Sequence, residues 1–567
     1  MSWEEEKAHS SFQSAASMLN GLSINDLWAI SSQLSSMDYY IQTENIDPLL
    51  FMSVLHEQRI AMFDRAILNS TANERHESIL DLASMTHMWN LLVRATYFEP
   101  PRIDPSNPGK QLLEVIAKIA NAQFQFQGFN FSTSLARSYV LYSLIPDQEQ
   151  SNLAQLYKKG FVDIPTTFHN HTGLTIREYL TISFVIFAFY LLRYSENFKI
   201  RADVLKSFES EMRSSSQAPD QVFKLVMTLI EKASPNKNSF FMTPKSLVVS
   251  DSHILNETLV ETYFNSVART NITLRNMSYE KVHRLGNLSQ RLSPLERYPI
   301  VHTASGHFII PNMRYFDGSI EKFIHYELQS LYPNNEFSTT FGHVFEKYVG
   351  ILISERAKSY TVIPETSYGK EEKKGPDYTL LNSEDKSLIA IEVKAKKFTL
   401  NTKLDPYSKS LEKDLDGVYS ALRKLPGKID DLRTGIPEYK KWQSLIDMTQ
   451  QDYTYCVVIV SGSLNFLAEI ISQIRTHDRH HFLNEFDCKY AIMTIESFEL
   501  MLEISHCNDI KLSELVKSYW EATQDLTPKS HAAELFGGIT PKTDKFFLNQ
   551  YIDELFDEVK MFGKANV

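Results

Sequence analysis

Cysteine is scarce in this chain. Of 567 residues only Cys456, Cys488 and Cys507 carry a thiol, and none stands in the Cys-x-x-Cys spacing of a zinc or dithiol site. A disulfide framework is excluded by that count, and the usage fits a reducing compartment. Glycine is missing where nucleotide binding would need it. There is no Gly-x-Gly-x-x-Gly, and Pro108-Gly109-Lys110 lacks both the first glycine of a P-loop and the Ser or Thr after its lysine. A nucleotide-driven motor is therefore not expected. No Gly-x-Ser-x-Gly elbow supports a serine hydrolase. Long apolar runs are absent too. The most apolar stretch, residues 179–192, falls short of the roughly 20 residues a spanning helix needs and reads as a buried core helix. The first residues, Met1-Ser2-Trp3-Glu4-Glu5-Glu6-Lys7, are the wrong chemistry for a signal peptide. A soluble, cytoplasmic protein is the expectation. Excess positive charge is missing as well: the net charge is −11, so any contact with nucleic acid has to be local.

What is present is a globular composition, 43% hydrophobic, in a chain long enough for two to four domains. Up to about residue 293 the apolar spacing is helical: 19–34, 48–67, 77–97, 110–123, 135–144, 176–193, 203–212, 221–232, 257–269 and 279–284. Pro100, Pro101, Pro105, Pro108 and Gly109 break two of these apart, and no period strong enough for a repeat array emerges. Residues 298–301 and 307–311, either side of Ser305-Gly306, read as a short hairpin, with a helix at 323–331. Helices are predicted again at 512–523 and 545–562. The expected organisation is an α+β multidomain chain: an all-α region over 1–293, a hairpin-helix bridge over 294–335, an α/β core over 336–510, and a helical tail over 511–567.

The chemistry concentrates in residues 375–397. Two apolar runs separated by Asn382-Ser383-Glu384-Asp385-Lys386 predict a β-hairpin, and the second arm is rich enough in Ile and Val to be an interior strand. Residues two apart on a strand share a face, so Ala390, Glu392 and Lys394 point one way and Ile389, Ile391 and Val393 the other. Antiparallel pairing brings Asp377, directly after Pro376, beside Glu392. Two carboxylates at close range repel unless a divalent cation lies between them, and all-oxygen ligation suits Mg²⁺ or Mn²⁺. Lys394 on the same face can orient a water or neutralise charge on a phosphate. The plain alternative, a buried ion pair between strands, explains neither the Pro-Asp turn nor two acids on one face.

Pro376-Asp377 followed by Glu392-Val393-Lys394 resembles the PD-(D/E)XK motif of restriction-endonuclease-like nucleases. The resemblance extends over residues 337–500, because the expected elements come in that superfamily's order of helix, three strands, helix, strand. Phe341, Val344, Phe345, Tyr348, Val349, Leu352 and Ile353 recur at helical spacing behind Ser338-Thr339-Thr340 as capping candidates. Strands are predicted at 360–368, in both hairpin arms, at 453–461 and at 490–495, with helices at 411–425 and 466–474. The resemblance implies catalysis by Asp377, Glu392, Lys394 and Glu346, the last matching the family's helical acid. It also implies a Mg²⁺ or Mn²⁺ held by Asp377, Glu392 and Glu346, and a nucleic-acid partner, DNA before RNA. Lys374, Lys396 and Lys397 flank the motif as candidate nucleic-acid contacts. Lys413 and Tyr419 stand where related recombination nucleases carry Gln and Tyr, though no Gln is present in 409–424. Glu365 is a further acid that either reaches the site from the first strand or faces solvent. A nuclease without its own motor resembles a bacterial restriction or phage-defence effector, alone, as a homo-oligomer or with a partner subunit. A catalytically silent, nuclease-like scaffold is the rival reading, and a helical half that carries the function is a third.

Other clusters carry less. His477-Asp478-Arg479-His480-His481 and His169-Asn170-His171 have no geometry enforcing convergence and are expected to be solvated. The alternating Phe124, Phe126, Phe129 and Phe131 are expected to be core rather than a stacking platform for bases.

Overall fold

The computed structural model describes residues 131–148, 161–198, 242–249, 252–270, 273, 298–302, 306, 308–310, 313–332, 336–395, 409–461, 489–524 and 547–555. The helices expected at 19–34, 48–67, 77–97, 110–123, 203–212, 221–232, 279–284 and 466–474, and the histidines of 477–481, lie outside them.

Among the described residues up to 267, helix forms at the expected 135–144 and 176–193, over 257–267 of the expected 257–269, and also over 164–172, which the spacing had not predicted. The elements are α1 (Phe131–Tyr139), a π-helical turn (Val140–Leu144), α2 (Ile145–Gln148), α3 (Ile164–Thr172), α4 (Ile176–Phe198) and α5 (Glu257–Val267). Local chemistry sets the boundaries. Asp163 accepts the Thr166 N–H at the start of α3, Asn256 accepts the Leu259 N–H at the start of α5, and Gly173 closes α3 in the left-handed conformation. The apolar run over 179–192 falls inside α4, where Tyr179, Leu180, Ile182, Phe184, Val185 and Ile186 are buried. Among the described residues no helix is long and apolar enough to cross a membrane.

Three short strands follow: β1 (Ala268–Thr270), β2 (Ile300–His302) and β3 (Phe308–Ile309). The expected hairpin is β2–β3, but β1 adds to it in parallel, where helical spacing had carried α5 on to Arg269. Helix α6 (Met313–Leu331) then leads to α7 (Glu336–Arg356), which begins before the capping candidates. Thr340 sits inside α7 and uses its hydroxyl to accept the Val162 N–H, 2.8 Å away, so it ties two segments together rather than capping its own helix.

The main sheet is built from β4 (Thr361–Pro364), β7 (Tyr378–Asn382), β8 (Ser387–Lys394), β9 (Thr454–Val460) and β10 (Lys489–Thr494), in the order β10-β9-β8-β7-β4. Residues expected to extend the first strand instead form β5 (Ser367–Tyr368), paired with β6 (Lys373–Lys374) in a separate ribbon. β4, β7 and β8 form an antiparallel meander, whereas β8, β9 and β10 are parallel. Parallel neighbours need a crossover, and α8 (Lys409–Arg433) lies between β8 and β9. The short helix α9 (Gln443–Met448) precedes β9, and α10 (Ile495–Asn508), α11 (Leu512–Gln524) and α12 (Asn549–Leu555) complete the described chain. The architecture is α+β.

Strand period two sorts the core into layers. Ile389, Ile391, Val393, Val457, Ile459 and Met493 join one apolar cluster with Phe345, Tyr348 and Val349 of α7 and Phe498 and Met501 of α10. That same cluster continues through the earlier helices as far as Leu135 and on to Leu555 of α12. Leu388, Ala390, Cys456, Val458 and Val460 face the other way, onto Val418, Leu422, Leu425, Ile429 and Leu432 of α8. The helix expected over 411–425 is longer: α8 runs on through Pro426 to Arg433. An interior proline costs about 3 kcal/mol. Ile429 and Leu432, buried beyond it, each return roughly 1.5–3 kcal/mol, so burial wins.

Candidate functional site

Asp377 and Glu392 meet where β7 begins and β8 ends. Tyr378 pairs with Ile391, so the register continued by one residue sets Asp377 opposite Glu392. β8 is buried through Val393, and Lys394 is its first partly exposed residue. The site therefore lies outside the carboxyl end of a central strand, where ligands gather on open α/β sheets.

Both acids are buried, at 8% and 4% exposure. Asp377 Oδ2 accepts the Val393 N–H at 2.7 Å, which fixes the carboxylate against the partner strand. Its backbone carbonyl accepts the Glu365 N–H at 2.9 Å. Glu392 is held from two sides: Lys394 Nζ donates to Oε2 at 2.8 Å, and Lys428 Nζ donates to Oε1. Lys428 also donates to the Gly375 carbonyl at 2.8 Å, on the turn that carries Asp377. A Cβ at Gly375 would run into Tyr439 Oη, so any side chain at this turn would have to displace the tyrosine.

Helix α7 brings Glu346 to the edge of the same cluster. Tyr378 Oη donates to the Glu346 carbonyl at 3.0 Å, and the ring lies against Gly350 one turn on. Burial, then the charges of Asp377 and Glu365, push the Glu346 carboxyl up to about 7. Burial and then the Glu392 charge push Asp377 up to about 6, against the opposing pull of Lys394. Burial works to lower Lys394, but the charges of Glu392 and Asp377 outweigh it and hold the ammonium above its ordinary value. Lys374 is raised by its hydrogen bond to Glu365, 2.9 Å long.

Asp377, Glu392 and Lys394 are thus together, with Glu346 close enough to feel Asp377. Glu365 is partly buried and joins the cluster electrostatically. The three acids do not form a ready cation cage: among the described residues no group of three or more His, Cys, Asp or Glu is placed to hold a metal ion. Both Glu392 oxygens are occupied by ammonium groups, and Asp377 Oδ2 is occupied by a backbone N–H. The donor chemistry nevertheless fits a hard divalent cation. Burial and, after it, the neighbouring carboxylate charges raise Asp377 and Glu346, and a cation already sits against Glu392 in the form of the Lys428 ammonium.

Lys396 and Lys397 lie outside the described residues. Lys413 and Tyr419 lie on α8. Sequence reasoning missed Lys428. Its signal was its position: it follows Leu425 by three residues and precedes Leu432 by four, which puts a charge on the buried stripe of a helix. His169 and His171 lie on α3 and are exposed, with His171 Nε2 3.0 Å from Glu327. Compared with models of known families, with curated proteins and with solved structures, the chain finds no match.

Proposed function

We propose that this protein is a metal-dependent nuclease of the restriction-endonuclease-like, PD-(D/E)XK kind, cutting phosphodiester bonds in DNA in preference to RNA. The observation that carries the reading is the facing pair of buried carboxylates at the open end of β8, with Asp377 raised to about 6 by burial and by Glu392, and with Lys394 on the same spot. The order α7, β4, β7, β8, α8, β9 supports it, since it follows the helix, three strands, helix, strand of that superfamily.

In this reading Asp377 and Glu392 hold Mg²⁺ or Mn²⁺, with Glu346 completing the shell directly or through water. Bound there, the cation supplies Lewis-acid activation of a phosphate oxygen and acidification of a water. Lys394 orients the attacking water or neutralises the charge that builds on the phosphate. Before the cation binds, burial and the charges of Asp377 and Glu365 raise Glu346 to about 7, and a divalent cation there would relieve that repulsion. Lys374, Lys396, Lys397, Lys413 and Tyr419 are the nucleic-acid contacts of this reading. A role in restriction or phage defence, with a second copy or a partner subunit, follows by analogy alone.

One observation favours the silent-scaffold reading: Glu392 is already neutralised by two lysines. The same experiment separates the two. Full-length protein is incubated with plasmid and with linear DNA in Mg²⁺, Mn²⁺ or EDTA, beside Lys394→Ala. Cleavage that needs the cation and falls by on the order of a hundredfold or more in the variant is expected. Equal cleavage by both proteins removes the mechanism, and DNA binding without cleavage by either leaves the scaffold.

A further inference from the structure

We propose that Lys428 is a built-in competitor for the divalent cation: its ammonium occupies the cation's place against Glu392 and must withdraw for the metal to enter. This inference rests on the metal-dependent reading above and adds to it a residue that sets when the centre can load.

Three features of the structure converge on it. First, the Lys428 ammonium sits in an all-oxygen environment, donating to Glu392 Oε1 and to the Gly375 carbonyl, with its side chain only 17% exposed. Carboxylate and carbonyl oxygens are what Mg²⁺ and Mn²⁺ prefer. Second, Lys394 already neutralises the other oxygen of Glu392, so the carboxylate has no need of a second lysine for a simple ion pair. Third, Lys428 arises from a weak point in α8. It directly follows Pro426 and Gly427. Proline removes one backbone hydrogen bond from the helix and crowds the preceding turn. Glycine lowers helix propensity, and nothing packs where a Cβ would stand at Gly427. Ile429 and Leu432 hold the helix on the sheet beyond this step, as Leu422 and Leu425 do before it, so the retraction is a swing of the Lys428 side chain that leaves all four in place.

Retraction also frees the Gly375 carbonyl. Loading of the cation and release of the turn that carries Asp377 are thereby one event. A mere structural clamp makes the opposite prediction, because removing it would disorder the turn and weaken the centre.

The test is Mn²⁺ binding by the full-length protein, read from the loss of the free-ion electron paramagnetic resonance signal. It compares wild type, Lys428→Met, Lys428→Arg and Asp377→Asn, with circular dichroism to certify folding of each. Lys428→Met is expected to bind Mn²⁺ on the order of tenfold more tightly, because the competing charge is gone while the stem remains. Lys428→Arg, which keeps the charge, is expected to bind as weakly as wild type. Asp377→Asn is expected to lose the site. Unchanged or weaker binding in Lys428→Met overturns the competitor role while leaving the metal centre in place. Mn²⁺ binding that ignores Asp377→Asn, or no binding by any protein, removes the metal centre itself and this inference with it. Should Lys428→Met fail to fold, Lys428→Gln takes its place with the same expectation.

Discussion

Glu346 makes the electrostatics of the site measurable without substrate. Its carboxyl titrates at about 7 in the folded chain, against an ordinary value of 4.5, because burial and the charges of Asp377 and Glu365 disfavour the ionised form. Between those two values the folded state binds more protons than the unfolded state. Stability is therefore lost as pH rises through the window, and the loss is complete above about 7. Glu346→Gln removes the penalty. With the side chain partly solvated, the variant is expected to be more stable than wild type by about 1–2 kcal/mol at pH 8 and by much less at pH 5. Urea denaturation of the metal-free proteins at the two pH values measures this, and an equal difference at both would sink the assignment. The same residue shows how site legibility divides. Asp377, Glu392 and Lys394 were readable because they sit on one hairpin, where period two and a short turn fix who faces whom. Glu346 was readable only as a charge beside an apolar stripe. Lys428 comes from another helix, and no local rule says which strand end a helical lysine will reach.

Elements were legible where one periodicity dominates, and less so where a neighbour overrides it. β7, β8, β9 and β10 fall close to their expected places because buried strands read as continuous apolar runs. The failures have physical causes: β1 takes over the end of a helical pattern because β2 offers it hydrogen bonds, and α8 crosses Pro426 because apolar residues beyond it find the sheet. The approach of α7 to β7 was invisible too, since nothing in Gly350 announces that a tyrosine will lie on it. An added Cβ at Gly350 would stand 2.3 Å from Tyr378 Oη and 2.9 Å from its ring. Replacing a helical glycine with alanine ordinarily gains about 1 kcal/mol, whereas overpacking costs about 1–3 kcal/mol. The ring cannot yield freely, because Oη is bonded to the Glu346 carbonyl and the residue adjoins Asp377. Overpacking therefore wins. Gly350→Ala is expected to lower stability by about 1 kcal/mol in thermal or urea melts, and a stabilised variant would show that the tyrosine moves aside without penalty.

At the scale of the whole molecule, the question is what couples the early helices to the sheet. Arg137 on α1 lies 362 positions from Glu499 on α10, and its guanidinium forks onto both oxygens of that carboxylate at 2.8 and 2.7 Å. It also reaches Glu496 at 2.9 Å, while Tyr348 of α7 donates to Glu499 at 2.6 Å. The arginine side chain is 3% exposed and that of Glu499 6%, so neither charge has water to fall back on. Breaking such a pair from one side typically costs 3–5 kcal/mol, because the remaining charge is stranded, whereas removing both sides costs much less. Arg137→Met is expected to lose stability in that range, and Arg137→Met combined with Glu499→Gln is expected to recover a good part of it. Hydrogen exchange locates the damage. The apolar cluster runs without a break from Leu135 through Val457 and Ile459 of β9. Protection of the β9 amides should therefore fall together with that of α1. Loss confined to α1, with β9 as protected as in wild type, would mean that the sheet stands on its own and that the buried arginine merely fastens a helix to it.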